Sequence, residues 1–410
     1  MYKSKLVKSC QICKSKNLNS ILFLGYLPPV NKFIKVNTKP RQEESYPAEL
    51  LFCNKCKLVQ LSLVVHQKIL FPVEYPYTSS TTKILRQNFK NLSENIKQNF
   101  NFKRSDLVID IGSNDGNLLS NFKDDFKVLG VTPESIGKLA IKKGIPTILK
   151  YFNLNTANFI IKKYKKAKII TATNVFAHMD NLDEIIKSIK KCLDKNGIFV
   201  TESHYLIPLL KETQYDTVYH EHLRYYTVTS LNKLFLKHGL QIFDVEKIPT
   251  HGGSIRVYCS YKNKFKVKNS VQNFLKNEKK YFNFKYFRKF ENNVVFSKLE
   301  LLRILLNIKK SNLRIAGISA PSRAATLINY VGIENKIVEC IFEISGSYKI
   351  GSYLPGTLIP VIEETKNKLN KYDYLIIFSW HIYKELKHVL RKKGYKGKFI
   401  IPLPYPKIVT

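Results

Sequence analysis

Leu107-Val-Ile-Asp110-Ile-Gly112-Ser-Asn-Asp115-Gly116-Asn-Leu-Leu119 is the stretch on which the fold turns. A short apolar run ending in an acid predicts a buried strand. The glycines behind it let the backbone turn sharply and approach a ligand at the carboxyl edge of a sheet, with a helix expected from Asn117. A dinucleotide site would read G-x-G-x-x-G, receiving a pyrophosphate on bare backbone and a helix N-terminus. The spacing here is D-x-G-x-x-x-G, with acids at Asp110 and Asp115. Carboxylates there repel a pyrophosphate but suit S-adenosylmethionine, which carries an ammonium and a sulfonium and no phosphate. At the end of the next strand an acid is expected to grip ribose hydroxyls. That position is Thr132, with Glu134 two residues on. The cofactor candidates are therefore Asp110, Gly112, Asn114, Asp115, Gly116, Glu134 and Asn174.

Outward from this turn, strand patterns at Val128–Val131, Lys168–Thr171 and Gly197–Glu202 alternate with helical ones such as Asp183–Leu193, which predicts a parallel α/β sheet covered on both faces. A second alternation begins at Leu313–Ile318 and runs through Lys336–Phe342 and Tyr374–Phe378 to Lys398–Ile401. Between them, Val295, Leu299, Leu302 and Leu305 recur at helical spacing. The expected organisation is a zinc-ribbon-like module over 1–70, a Rossmann-like domain over 71–261, a helical linker over 262–310 and a smaller C-terminal α/β domain over 311–410.

Cys10, Cys13, Cys53 and Cys56 form two C-x2-C pairs separated by 39 residues. Four soft thiolates in two knuckles suit tetrahedral zinc, and with every position filled by protein the metal's role is structural. Cys192, Cys259 and Cys340 read as small core residues. The chain has 68 Lys+Arg against 31 Asp+Glu, a formal charge of +37, but no segment concentrates the charge among aromatics. The bias reads as compositional, and no nucleic-acid partner is expected. No apolar run reaches membrane-span length and no apolar segment follows the charged start, so a cytoplasmic protein is expected.

Tyr219-His220-Glu221-His222, preceded by Asp216, is the densest cluster of proton-handling groups. It lacks the H-E-x-x-H spacing of zinc hydrolases, while an imidazole suits a general base. On an extended segment the two histidines would share one side; in a loop all could converge. Tyr75, His178 and His251-Gly-Gly253 are further candidates.

In chain order these segments resemble the sugar-nucleotide C-methyltransferases, of the NDP-hexose C-3-methyltransferase type. The resemblance rests on the cysteine pairs with Leu24–Asn31 and Cys56–Leu61, on Tyr75–Tyr77, Asp110–Gly116 and Asp216–His222, and on His251–Gly253, Ala320–Tyr330 and Tyr353–Thr357. It implies a zinc module, a class I methyltransferase domain and a C-terminal domain that helps hold a nucleoside-diphosphate-4-keto-6-deoxyhexose. Carried over by motif, His222 would be the base, supported by Tyr219 and Glu221, with Tyr75 and His178 lining the sugar site. Ser319, Ser322, Arg323 and His251 would hold the substrate. Thr132 departs from the family's acid. The chemistry fits: carbon becomes nucleophilic once a base removes a proton beside a ketone and donors stabilise the enolate oxygen. Two other readings use the same features: a nucleic-acid methyltransferase, and a non-catalytic zinc-containing scaffold that has lost cofactor binding through Thr132.

Overall fold

The computed structural model describes residues 4–38, 43–71 and 79–410. The run Leu107–Ile111 is a wholly buried strand at the centre of a seven-stranded sheet. The sheet order is Leu240–Ile248, Ser254–Tyr261, Leu193–His204, Ala167–Thr173, Leu107–Ile111, Lys127–Val131 and Thr147–Ile148. From Leu193–His204 to Thr147–Ile148 all neighbours are parallel, and Ser254–Tyr261 inserts antiparallel to both of its partners. Parallel pairing explains the apolar character of these strands, since both faces are covered. The sheet order reverses beside Leu107–Ile111, and such a switch point opens a crevice at the carboxyl ends of the strands.

The helix expected from Asn117 does not form. Only the single 3-10 turn Leu119–Asn121 follows Gly116. Asn121 turns its amide back onto the Asn117 and Leu118 carbonyls, a local bond that competes with helix continuation.

A second sheet of eight strands is centred on Ile315–Ile318 and Tyr374–Ile377, and its far edge is Ile34–Lys35 from the N-terminal segment. The N-terminal sheet, in turn, pairs Val59–Leu61 with Arg224–Tyr225, just beyond the Y-H-E-H cluster. The segments predicted as separate units are thus stitched together by two short strands. The expected linker is the helices Asn269–Glu278 and Phe284–Lys310. The longer one buries Phe287, Phe290, Val294, Leu301, Ile304, Leu305 and Ile308, whereas Val295 and Leu299 are 44% and 55% exposed. The expected helical period holds, with Leu305 on the buried face and Val295 and Leu299 on the exposed one. Cys192, Cys259 and Cys340 are buried core residues, as expected.

Candidate active site

The glycine turn is built for close approach. Gly112 has φ +75°, and a Cβ there would lie 2.4 Å from Val175 Cγ1; Gly116 has φ +78° and faces Ile145 and Ala140. The Gly112 amide donates to the Val131 carbonyl, joining the turn to the next strand. Asp110 and Asp115, expected as cofactor ligands, are buried and brace the turn. Asp110 accepts from Thr171 Oγ1 at 2.7 Å, and burial pushes its carboxyl up to about 7. Asp115 accepts from Ser79 Oγ at 2.6 Å and from Lys143 Nζ at 3.2 Å. Burial pushes it up, but the Ser79, Ser80 and Lys143 contacts outweigh that and hold it below the usual carboxylate range. Asn114, at φ +50°, accepts from the Ser79 amide.

The anomaly at Thr132 has a local explanation. Its hydroxyl donates to the carboxylate of Glu134, so a half-buried acid is carried to the end of the Lys127–Val131 strand two residues late. Asn174, at φ +58°, donates its amide to the Glu202 carbonyl and opens the loop that ends at His178.

That loop connects the glycine turn to the Y-H-E-H cluster. Val175 packs under Gly112, its carbonyl accepts the His178 amide, and the His178 ring lies 5.0 Å from the His222 ring. The cluster itself is a turn, and its members part company. His222 lies over the Tyr219 ring at 4.2 Å, and its Nδ1 faces the Thr217 carbonyl at 3.0 Å. A carbonyl only accepts, so Nδ1 carries the proton and Nε2 is left as the basic nitrogen. The Glu221 carboxylate accepts from Asn31 Nδ2 at 2.7 Å, and Asn31 in turn accepts from Ser322. His220 leaves the site for the Pro47 carbonyl, where it ties the N-terminal sheet down. Tyr75 lies outside the described residues.

Sequence reasoning missed much of the remaining wall. His178, His204, His222, His251 and His381 sit close enough for their charges to interact, and three of them, His204, His251 and His381, also feel Arg323. Burial holds all five imidazoles below their ordinary value: His178 and His251 at about 4, His204 at about 3 and His381 at about 2, with His222 well below 6.5. Among the described residues, His178 Nδ1, His204 Nδ1 and His251 Nε2 are buried without a hydrogen-bond partner, which marks polar walls that a ligand would complete. Arg323, in the first turn of the helix Ser322–Val331, reaches His381 Nδ1 and the His251 carbonyl. Ser319, at φ +60°, pairs with Ser379 instead of standing free. His204 and His381 had no motif to advertise them; only the fold brings them here.

The cysteines meet as predicted. All four Sγ atoms lie within 4.8 Å of one another, with Cys10–Cys56 at 3.2 Å and Cys13–Cys53 at 3.5 Å. Tetrahedral zinc with bonds of ~2.3 Å needs sulfurs roughly 3.8 Å apart, so the cage fits that metal with little adjustment. Among the described residues no other His/Cys/Asp/Glu group of three or more is spaced for a metal, and no helix is long and apolar enough to cross a membrane.

The sheet order, the glycine turn and the carboxylate at the second strand define an S-adenosylmethionine-dependent methyltransferase. Family models agree: a methyltransferase domain matches residues 84–245, a zinc binding domain residues 10–71, and a C-methyltransferase C-terminal domain residues 249–404. The three matches follow one another and together account for most of the chain. The chain is similar end to end to the C-methyltransferase NovU of Streptomyces niveus, 25% identical over 98% of this chain and 97% of that protein. Partial likenesses run to two solved structures. One is an S-adenosylmethionine-dependent methyltransferase of Clostridium acetobutylicum (15% identity, 44% of this chain, 93% of that one, TM-score 0.34). The other is the magnesium protoporphyrin IX methyltransferase of Synechocystis (13%, 43% and 79%, TM-score 0.33).

Proposed function

We propose that the protein methylates a ring carbon beside the ketone of a nucleoside-diphosphate keto-deoxysugar, with His222 as the base. The observation that carries this reading is the short contact path from the Gly112 turn through Val175 and His178 to a histidine whose tautomer leaves Nε2 basic. In this reading Gly112, Asn114, Gly116 and Asn174 shape the cofactor cradle, with Asp110 and Asp115 bracing it, and Glu134 meets the ribose. Bound there, S-adenosylmethionine supplies the electrophilic methyl group that the substrate carbon takes up.

His222 Nε2 removes the ring proton. The C–H electron pair becomes a carbon–carbon double bond while the carbonyl pair moves onto oxygen. His178, kept neutral by its enclosure, and Tyr75 are the proposed donors to that oxygen; Tyr219 holds the base from below. Methyl uptake then depends on alignment, which the rigid walls supply. Glu221 acts at one remove, through Asn31 to Ser322. Arg323, Ser319, Ser322 and His251 belong to the nucleotide end, where a guanidinium and uncapped helix amides suit a diphosphate. Residues 1–70 are then the zinc module, 71–261 the methyltransferase domain, 262–310 the connecting helices and 311–410 the nucleotide-sugar domain, acting in the cytoplasm on a small molecule.

Incubation with S-adenosylmethionine and a panel of nucleoside-diphosphate 4-keto-6-deoxysugars tests the reading. Mass spectrometry should show the gain of one methyl, and NMR should place it on carbon. His222→Ala should give no product and unchanged cofactor affinity. A cofactor-binding protein that methylates none of the panel, or methylates oxygen, would sink it.

A further inference from the structure

The 3-10 turn Tyr215–Thr217 lies just ahead of the base, and three positions flanking the Thr217 carbonyl are held by the C-terminal domain. Tyr215 is fully buried with its ring 5.0 Å from that of Tyr330. Asp216, also fully buried, accepts from Trp380 Nε1 at 2.7 Å through Oδ2, which lies 3.8 Å from Arg323 Nη1. The Val218 carbonyl accepts from Thr326 Oγ1 at 3.5 Å. Between them stands Thr217, whose carbonyl receives both His222 Nδ1 and the Tyr225 hydroxyl at 3.0 Å. Thr217's own hydroxyl and amide tie it within the turn, both donating to the Gln214 carbonyl, but they do not reach across to the C-terminal domain. Its neighbours do, and their partners lie more than a hundred residues downstream.

A buried carboxylate beside an aromatic cluster is costly unless its charge is met. Asp216 meets it with one indole N–H and one guanidinium, both from the C-terminal domain. Arg323 also donates to the His251 carbonyl, so the same residue grips a second loop of the site. We infer that Asp216 and Trp380 are positioning residues, through which docking of the C-terminal domain orients the Thr217 carbonyl and so fixes the tautomer and aim of His222. The consequence is that the basic nitrogen is correctly presented only when the two domains are closed on each other. A base in the wrong tautomer offers an N–H where a lone pair is required.

This inference rests on His222 being the base, and solvent exchange separates the two ideas. With a keto-sugar nucleotide that the enzyme accepts and no methyl donor, proton abstraction appears as deuterium uptake at the ring carbon in D2O. His222→Ala should abolish exchange; if it does not, the base assignment fails. Trp380→Phe keeps the ring and removes the donor, and Asp216→Asn keeps the shape and removes the charge. Each should slow exchange and methylation by the same factor, at least about tenfold out of the ~10²–10⁴ a positioned base contributes. KM and cofactor affinity should stay near wild type. Trp380 is the chain's only tryptophan, so its fluorescence in Asp216→Asn reports the contact directly. Folded variants that bind cofactor and exchange at the wild-type rate, while His222→Ala does not, would overturn the inference. So would a loss confined to KM.

Discussion

His222 can act on a carbon acid because of what occupies its other nitrogen. The Thr217 carbonyl takes Nδ1–H, and enclosure by neighbouring rings keeps the imidazole well below its ordinary pKa. The sign follows: the neutral, active form persists as pH falls through 6.5. The kcat/KM for methylation should be flat from pH 8 to 6 and drop only further into acid; a midpoint at or above 6.5 would mean the ring is solvated. Thr132 carries a second residue-scale expectation. Thr132→Val removes the hydroxyl that holds the Glu134 carboxylate at the strand end. A hydrogen bond to a charged group is worth about 1.5–3 kcal/mol, so the cofactor Kd should rise roughly ten- to a hundredfold by titration calorimetry. An unchanged Kd would remove Glu134 from the site.

Elements were legible in the sequence where their periodicity was simple. Leu107–Ile111 and Lys398–Ile401 fall where their apolar runs end, because strands covered on both faces exclude polar residues. The break after Gly116, where a helix was expected, was not legible, because the Asn121 side-chain amide closes local bonds onto the Asn117 and Leu118 carbonyls that no hydrophobic pattern reveals. Which face of Phe284–Lys310 packs was not legible, because its exposed side also carries apolar residues, Val295, Leu299 and Leu306. Of the histidines gathered in the cleft, His178, His222 and His251 stand in segments that drew notice in the sequence, whereas His204 and His381 carry no local signature. Zinc supplies the element-scale test. The cysteine knuckles cap the Leu18–Leu27 and Tyr46–Cys53 strands, and the second of these holds His220 through the Pro47 carbonyl. Cys53→Ser should lose the metal and lower Tm by several degrees, with activity falling as that sheet loosens; metal analysis and calorimetry follow both. A metal-free variant with wild-type Tm would deny the cage a structural role.

At the scale of the molecule, folding pulls five histidines from distant segments into one cleft, sends His220 to the N-terminal sheet, and strips all six of water. His178, His204, His220, His251 and His381 are held at about 4, 3, 4, 4 and 2, with His222 also lowered, all mainly by burial. A lowered imidazole is neutral when folded and protonated when unfolded between its two pKa values. The unfolded chain therefore binds more protons, and stability declines as pH falls below about 6.5. Three carboxyls work the other way. Asp110, at about 7, and Asp216 and Glu278, both raised by burial, stay protonated longer in the fold and gain stability as acid is added. Seven histidines, with His238 also lowered by burial, against three carboxyls leave a net loss, and the ordinary paired acids add to it only below about pH 4. Calorimetry from pH 7.5 to 5 should show Tm highest at the neutral end and falling progressively, with more than one proton taken up on unfolding near pH 5.5. Removing one contributor, for example by His220→Gln, should flatten the slope even if it lowers Tm at pH 7. A Tm independent of pH over that range would mean that the imidazoles remain solvated, and that the cleft they line is open to water.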